Sequence, residues 1–415
     1  MLPPRPCAAF FPGPPTGPGM SSGAVVTSLS HRFSQRAKNI KISATKLMPM
    51  LASEVGGCAS LGQGVPSFAT PPHVAEAVCR ALADQPSAGK YSLQPGMPEL
   101  RRAVADLLAA EKRLIADPDR EIAITVGGME ALLCAVLCLC ERGDEVIVPE
   151  PFYPSHVEQV LLAEAQPVLV PLRRQNWSLD AEAVAAAVTE RTRAIIINSP
   201  HNPTGAVFAK DDLLAVAEVA LTHGLTIICD DTYDALAYDE PAFSLASLPE
   251  LRDNLVAVGS FSKRFALTGW RVGFAFAPEP IMGQMLKVHD CTAICAPTPS
   301  QIAALASLTG PQSVYAGFID ALRERRTRIM ARLDAMDGLA YNAPAGAFYI
   351  MARYPVPGAP MDVATRLIRE ARVITIPGDS FGPGGEGSLR LSYGAEPAEI
   401  DTACDRLAEW FARQG

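Results

Sequence analysis

The stretch Leu255-Val-Ala-Val-Gly259-Ser260-Phe261-Ser262-Lys263-Arg-Phe-Ala-Leu-Thr-Gly269-Trp-Arg271-Val-Gly-Phe274 decides how the rest of the chain is read. Leu255–Gly259 has the character of a buried strand, and the polar run after it puts Lys263 just beyond that strand's carboxyl end. In α/β sheets, ligands bind at those ends. A lysine held there loses water, its pKa falls, and the neutral amine becomes available as nucleophile or base. Arg271 follows eight residues later, and Ser260 and Ser262 flank Phe261, so one cation and two hydroxyl donors can share a phosphate. A second strand-like run, Arg271–Ala277, begins about a dozen residues after Gly259 with no helix between. That is too short for an ordinary parallel crossover, so this strand is expected to run antiparallel.

Upstream, the chain alternates regularly. Strand-like runs stand at Ile122–Val126, Glu145–Val148, Pro167–Val170, Ala194–Asn198 and Leu225–Cys229. Between most of them lie amphipathic stretches, Glu130–Glu141, Ser155–Ala163, Ala181–Val188 and Asp211–His223. The pattern predicts an α/β fold with a mainly parallel, seven-stranded sheet and helices on both faces. The ends of these strands carry Gly127-Gly128-Met129, Phe152-Tyr153, Asn202-Pro203-Thr-Gly205, and Asp230-Asp-Thr-Tyr233. Taken singly, these are a glycine turn, an aromatic, a turn asparagine, and a helix-cap aspartate with a core tyrosine. With Lys263, five strand ends converge on one crevice, and a glycine turn opening a helix offers free amides to an anion.

Composition narrows the class. The chain has 415 residues, 49% of them apolar and 19% charged, with a net charge of −8. Its mean hydropathy is +0.15 and its pI near 5.4. The acidic balance argues against nucleic acid or an anionic membrane as the main partner. No apolar run approaches the ~18 residues of a membrane helix. The ten cysteines are scattered without a CxxC or a paired Cys/His spacing, which excludes a metal site of that type. They are expected to be reduced, buried and small-apolar in role, which implies the cytoplasm. Met1–Gly19 holds seven prolines among glycines, so residues 1–31 are expected to be a disordered extension, with Met20 a plausible initiator.

The motifs His201-Asn-Pro-Thr-Gly205, Asp230-x-x-Tyr233 and Ser262-Lys263-x4-Thr268-Gly-Trp-Arg271 occur in an order that resembles the class I/II aminotransferases, fold type I, which use pyridoxal phosphate. Arg390-Leu-Ser-Tyr-Gly394, Leu61-Gly-Gln-Gly-Val-Pro66, Lys90-Tyr91 and Pro98-Glu-Leu-Arg101 match as well, so the likeness covers roughly residues 32–413. Tyr153 departs from the tryptophan or phenylalanine that relatives often place over the cofactor ring, and Val65 and Ser67 from an acidic residue common there.

The resemblance implies roles. Lys263 is the Schiff-base lysine and moves the substrate proton. Asp230 pairs with the ring nitrogen, while Tyr233 and Asn202 bond the ring oxygen. Gly128, the amide of Met129, Ser260, Ser262 and Arg271 hold the phosphate, and Tyr153 stacks on the ring. Tyr91 reaches the phosphate of a neighbouring subunit, making the active unit a homodimer. Arg390 takes the substrate carboxylate, with Gly64 allowing close approach. The expected activity is ping-pong transfer of an amino group between an L-amino acid and a 2-oxo acid. The alternatives are a cysteine-conjugate β-lyase or an amino-acid-modifying synthase on the same scaffold. A pyridoxal-phosphate-binding regulator would need a DNA-binding domain, for which residues 1–30 are too short.

Beyond residue 310 the texture changes. A charged helix Gln312–Met336, a strand Gly346–Met351, a helix Asp362–Ala371, short strands Val373–Pro377 and Ser388–Tyr393, and a helix Pro397–Arg413 indicate a smaller α+β domain. The resemblance adds the N-terminal segment to it. The expected division is a large domain at 66–310 and a small one from 32–65 with 311–415. The same N-terminal segment is expected over the substrate side chain, where Lys46 can meet a distal carboxylate. No lysine or arginine follows Gly128 until Arg142, so neutral donors are expected to serve at least as well as aspartate.

Overall fold

A computed structural model describes residues 30–414. The expected disorder of 1–31 therefore lies outside the described residues, apart from Ser30 and His31 in the 3-10 turn Ser30–Arg32. Of the described residues, those up to Asn39 form one unit and those from Ile40 onward a second.

Seven strands build the main sheet: β1 Ile122–Thr125, β2 Glu145–Glu150, β3 Gln166–Pro171, β4 Thr192–Asn198, β5 Thr226–Asp230, β6 Leu255–Ser260 and β7 Gly273–Phe276. Their order is β1-β7-β6-β5-β4-β2-β3. All neighbours are parallel except at β7, which runs antiparallel to both β1 and β6. The short connection after β6 had required that reversal.

Alternation explains why both faces are covered. Ile195 and Ile197 of β4, with Ile227 and Cys229 of β5, enter one core. Ala194 and Ile196, with Ile228 of β5, enter the other. Successive side chains of a strand point to opposite faces, so two apolar cores demand near-continuous apolar strands. The helices Gly128–Leu139 and Glu279–Thr292 pack together on the second face. Glu279–Thr292 and Thr298–Thr309 were not read from the sequence. The second carries weak amphipathic order, since it buries Thr298, Ser300, Gln301 and Ser307 beside its alanines.

The C-terminal part is a four-stranded antiparallel sheet of Ile376–Pro377, Ser388–Ser392, Tyr349–Arg353 and Ala340–Tyr341 in that spatial order. Here three expectations are corrected. Val373–Pro377 is not one strand: Val373–Ile374 pairs in parallel with Ala59–Ser60, and only Ile376–Pro377 joins the sheet. The strand expected from Gly346 begins at Tyr349, because Ala347 sits at φ 53°, outside the extended region. The helix expected at Asp362–Ala371 spans Pro360–Arg366 and closes in a wide π-type turn, Leu367–Ala371. The cysteine expectation also needs correction, since Cys79 and Cys291 are exposed while Cys134, Cys229, Cys295 and Cys404 are buried. Among the described residues no helix is long and apolar enough to cross a membrane.

Candidate active site

The carboxyl ends of the parallel strands open into a cavity of about 770 Å³. Gly128, Met129, Tyr153, Asn202, Asp230, Tyr233, Ser260, Ser262, Lys263, Arg271 and Arg390 line it, with Gly64 and Lys46. Every site residue read from the sequence is thus brought together except Tyr91. That side chain is 78% exposed and does not line the cavity of its own chain.

At one end, the turn after β1 is shaped by glycine. Gly127 stands at φ 75°, and a Cβ there would meet Nη2 of Arg271 at 2.9 Å, so the guanidinium lies against the turn. Gly273 of β7 presses equally close, since a Cβ on it would lie 2.6 Å from the Gly128 amide nitrogen. The first amides of the helix Gly128–Leu139 have no intrahelical acceptor and carry the positive end of its dipole. With Ser260, Ser262 and Arg271 beside them, they are donors that could hold an anion.

At the base lies Asp230, buried at the end of β5. Its Oδ2 is 2.9 Å from Nε2 of His156, and its Oδ1 accepts from the Thr232 hydroxyl at 2.6 Å and the Thr232 amide at 3.2 Å. Burial pushes the carboxyl up, yet the hydrogen bonds from His156 and Thr232 outweigh it and leave the pKa below its ordinary value. A dry, ionised carboxylate is what a protonated ring nitrogen needs. Asp231, its neighbour, does not line the cavity; it pairs with buried Lys112, which also lies 2.9 Å from Asp234.

Lys263 projects between these ends and donates to the Gly64 carbonyl. Its pKa is brought down from 10.5 to about 8, first by loss of water, then by the charges of Arg390 and Arg271, against the pull of Asp230. Gly64 owes its identity to Tyr349 as well, because a Cβ at this position would run into the Tyr349 hydroxyl.

Arg390 is buried and has no carboxylate partner among the described residues. Nη2 donates to the Gly62 carbonyl at 2.6 Å and Nη1 to Oδ1 of Asn202 at 3.2 Å, while Nε finds no acceptor. The guanidinium rests over the rings of Tyr349 and Phe381, 4.5 and 5.0 Å from their centroids. Burial lowers its pKa. A desolvated cation with an unused donor calls for an anion from outside the chain.

Sequence reasoning missed several of these groups. His156 is one of six histidines and carries no motif, although it stands one helical turn from Tyr153. Tyr349 accepts or donates at 2.8 Å with the Tyr233 hydroxyl, an encounter across 116 residues that no local pattern marks. Asn198 holds the loop after β4 from within, through its own Nδ2 to the Asp230 carbonyl and its Oδ1 to the Asn202 amide. His201, inside the recognised motif, is driven down to about 3 by burial and by His156, and its Nδ1 faces the Thr204 hydroxyl at 2.8 Å. It shapes the loop and does not line the cavity.

Comparison with known proteins identifies the class to which this fold and site belong. The family model for aminotransferase class I and II matches residues 57–407, and the chain belongs to that family. It is 36% identical over 382 residues to the aspartate aminotransferase of Pyrococcus abyssi, covering 90% of this chain and 97% of that one. It is likewise 36% identical over 382 residues to the aromatic-amino-acid aminotransferase 2 of Thermococcus litoralis, with the same coverage. The aspartate aminotransferase of Thermus thermophilus, solved with maleate, superposes with a TM-score of 0.86 at 35% identity, covering 91% of this chain and 99% of that one. The protein is therefore a transaminase, an enzyme that moves an amino group between an amino acid and a 2-oxo acid.

Proposed function

We propose that this chain binds pyridoxal phosphate in the 770 Å³ cavity and uses it to transfer amino groups from neutral L-amino acids at least as readily as from aspartate. The observation that carries this reading is the convergence, in one cavity, of a lysine amine lowered to about 8, a buried ionised aspartate and a buried arginine with an unused donor. The donor set fits the cofactor from end to end. The amides of Gly128 and Met129, with Ser260, Ser262 and Arg271, would hold the phosphate; Asp230 would pair with the ring nitrogen. Tyr233 and Asn202 would bond the ring oxygen, and Tyr153 would stack on the ring.

Bound there, pyridoxal phosphate supplies an aldehyde that captures amines and a ring that withdraws electrons from the substrate Cα. The chain's own residues do the rest. Lys263 can be neutral near physiological pH, so it can act as nucleophile and, when displaced, take and return the proton at Cα. Arg390 orients the α-carboxylate as a bidentate pair. His156 and Thr232 keep Asp230 charged, and Tyr349 braces both Tyr233 and Arg390.

Substrate choice rests on the cavity wall. Met129, Leu132, Tyr153, Pro49 and Val65 offer apolar surface, and among the described residues Lys46 is the one cation there not already assigned. The relatives named for aspartate and for aromatic amino acids bracket the donor classes to be compared. The homodimer, with Tyr91 completing the neighbouring site, belongs to the same proposal. So do the cytoplasmic setting and the division into a large domain at 66–310 and a small one from 32–65 with 311–415.

The test supplies pyridoxal phosphate, a panel of amino donors and 2-oxo acids, and measures both products. Keto acid formed in equal amount to the new amino acid, without ammonia release, is the expected result. A kcat/KM for aspartate far above that for every neutral donor, or full turnover without pyridoxal phosphate, would overturn the proposal.

A further inference from the structure

Behind the phosphate-binding turn lies a second polar cluster that does not line the cavity. Glu130 stands in the first turn of the helix Gly128–Leu139, and its side chain folds back under that turn. Oε2 accepts the Val126 amide at 2.5 Å; Oε1 accepts the Thr292 hydroxyl at 2.8 Å and faces Nδ1 of His289 at 2.9 Å. The other ring nitrogen of His289, Nε2, faces the Gln94 carbonyl at 3.1 Å. Glu130 and His289 are both buried.

A carbonyl oxygen can only accept, so Nε2 carries a hydrogen; Nδ1 and Oε1 then need one further proton between them. With that proton shared, the cluster is satisfied and carries no net charge. Without it, a carboxylate would stand unbalanced behind a turn whose amides are read as holding a phosphate, and would repel it. The cluster also ties three elements into one frame: the turn 126–129, the helix Glu279–Thr292 and the loop 90–97. That loop is tied to the helix Glu279–Thr292 a second time, since Gln94 Nε2 donates to the Leu286 carbonyl at 2.8 Å, and to the helix Thr298–Thr309, where the Thr298 hydroxyl donates to the Lys90 carbonyl at 2.6 Å and Gln301 Nε2 to the Ser92 hydroxyl at 2.8 Å.

We propose that Glu130 and His289 are a positioning pair for the phosphate end of the site: the carboxylate caps the Val126 amide and sets the turn, and the histidine cancels the carboxylate's charge. The inference rests on the reading of this cavity as a pyridoxal phosphate site. Glutamine at 130 can serve the same geometry, its oxygen accepting from Val126 and its amide donating to Nδ1, with no charge left to cancel.

The experiment measures the affinity of the full-length protein, freed of cofactor, for pyridoxal phosphate and for pyridoxal, which lacks the phosphate. His289→Phe, which keeps a ring and drops both nitrogens, is expected to weaken pyridoxal phosphate by about 10- to 100-fold, the range for an uncompensated buried group. Pyridoxal should stay within about threefold, a change under 1 kcal/mol. Adding Glu130→Gln to His289→Phe should restore most of the lost affinity, and Glu130→Gln alone should match the wild type. Equal weakening of both ligands, or no rescue by Glu130→Gln, would overturn the pair's role. Should His289→Phe not fold, Glu130→Ala against Glu130→Gln carries the same comparison, with the loss expected only for alanine and only for the phosphate-bearing ligand. A wild-type protein that does not favour pyridoxal phosphate over pyridoxal would instead overturn the reading of the cavity itself, and the pair's role with it.

Discussion

Nε2 of His156 stands 2.9 Å from Oδ2 of Asp230, and the other oxygen of that carboxylate takes the Thr232 hydroxyl at 2.6 Å. The aspartate is therefore held ionised from behind while one face remains toward the cavity. His156→Leu removes the partner that does most to offset its burial. We expect kcat to fall by about tenfold or more, from a cost of roughly 1–3 kcal/mol for a buried charge left without its partner. Steady-state kinetics with a thermal melt checks this. An unchanged kcat in a folded variant would show that Asp230 does not depend on His156.

Lys263 gives the pH dependence. Its amine is protonated below about 8 and neutral above, so the rate at which cofactor-free protein captures pyridoxal phosphate should climb with pH and level off above 8. The climb is about tenfold per pH unit on the acid side. Stopped-flow absorbance follows it directly. Lys263→Ala should abolish turnover while leaving non-covalent binding, and borohydride labelling of a different lysine would refute the assignment.

Asp230 and Asp231 are adjacent yet differ in kind. Asp230→Ala should remove nearly all activity. Asp231→Ala should act on stability instead, by roughly 1–3 kcal/mol, because buried Lys112 loses one of its two carboxylates and keeps Asp234. Comparing kcat and denaturant midpoints for the two variants separates the roles. Equal losses of activity would contradict the placement of Asp231 outside the cavity.

Lys46 is exposed at the cavity wall near Ser43, Thr45 and Pro49. If it meets a distal carboxylate, Lys46→Met should lower kcat/KM for aspartate and glutamate by about tenfold, from a charge pair contributing a few kcal/mol at most. Methionine and phenylalanine should be unaffected and at least as good as aspartate in the wild type. A strong preference for dicarboxylates that survives Lys46→Met would remove both the neutral-donor reading and the lysine's part in it.

The sheet, its single antiparallel strand and the residues at its carboxyl ends were legible because each depends on local pattern. Apolar runs alternate between two cores, the short step from β6 to β7 forbids a parallel crossover, and Asp230 ends its strand while Lys263 stands shortly past Ser260 at the end of β6. The helix at 298–309 was not legible, since its inward face carries threonine, serine and glutamine, and Thr298 and Gln301 bond to Lys90 and Ser92 far away in the chain. Nor was the break at Thr375, where the partners on either side belong to different sheets.

The sequence by itself determined which groups carry the chemistry, because a lysine, an aspartate or a glycine turn at a strand end is a local arrangement. Only the tertiary structure decided what state those groups are in. Asp230 stays ionised because His156 reaches it across 74 residues, Lys263 is lowered in part by Arg390, and Arg390 is itself desolvated between Tyr349 and Phe381. Charge and pKa depend on distance and burial, which side chains acquire only when distant parts of the chain have packed together.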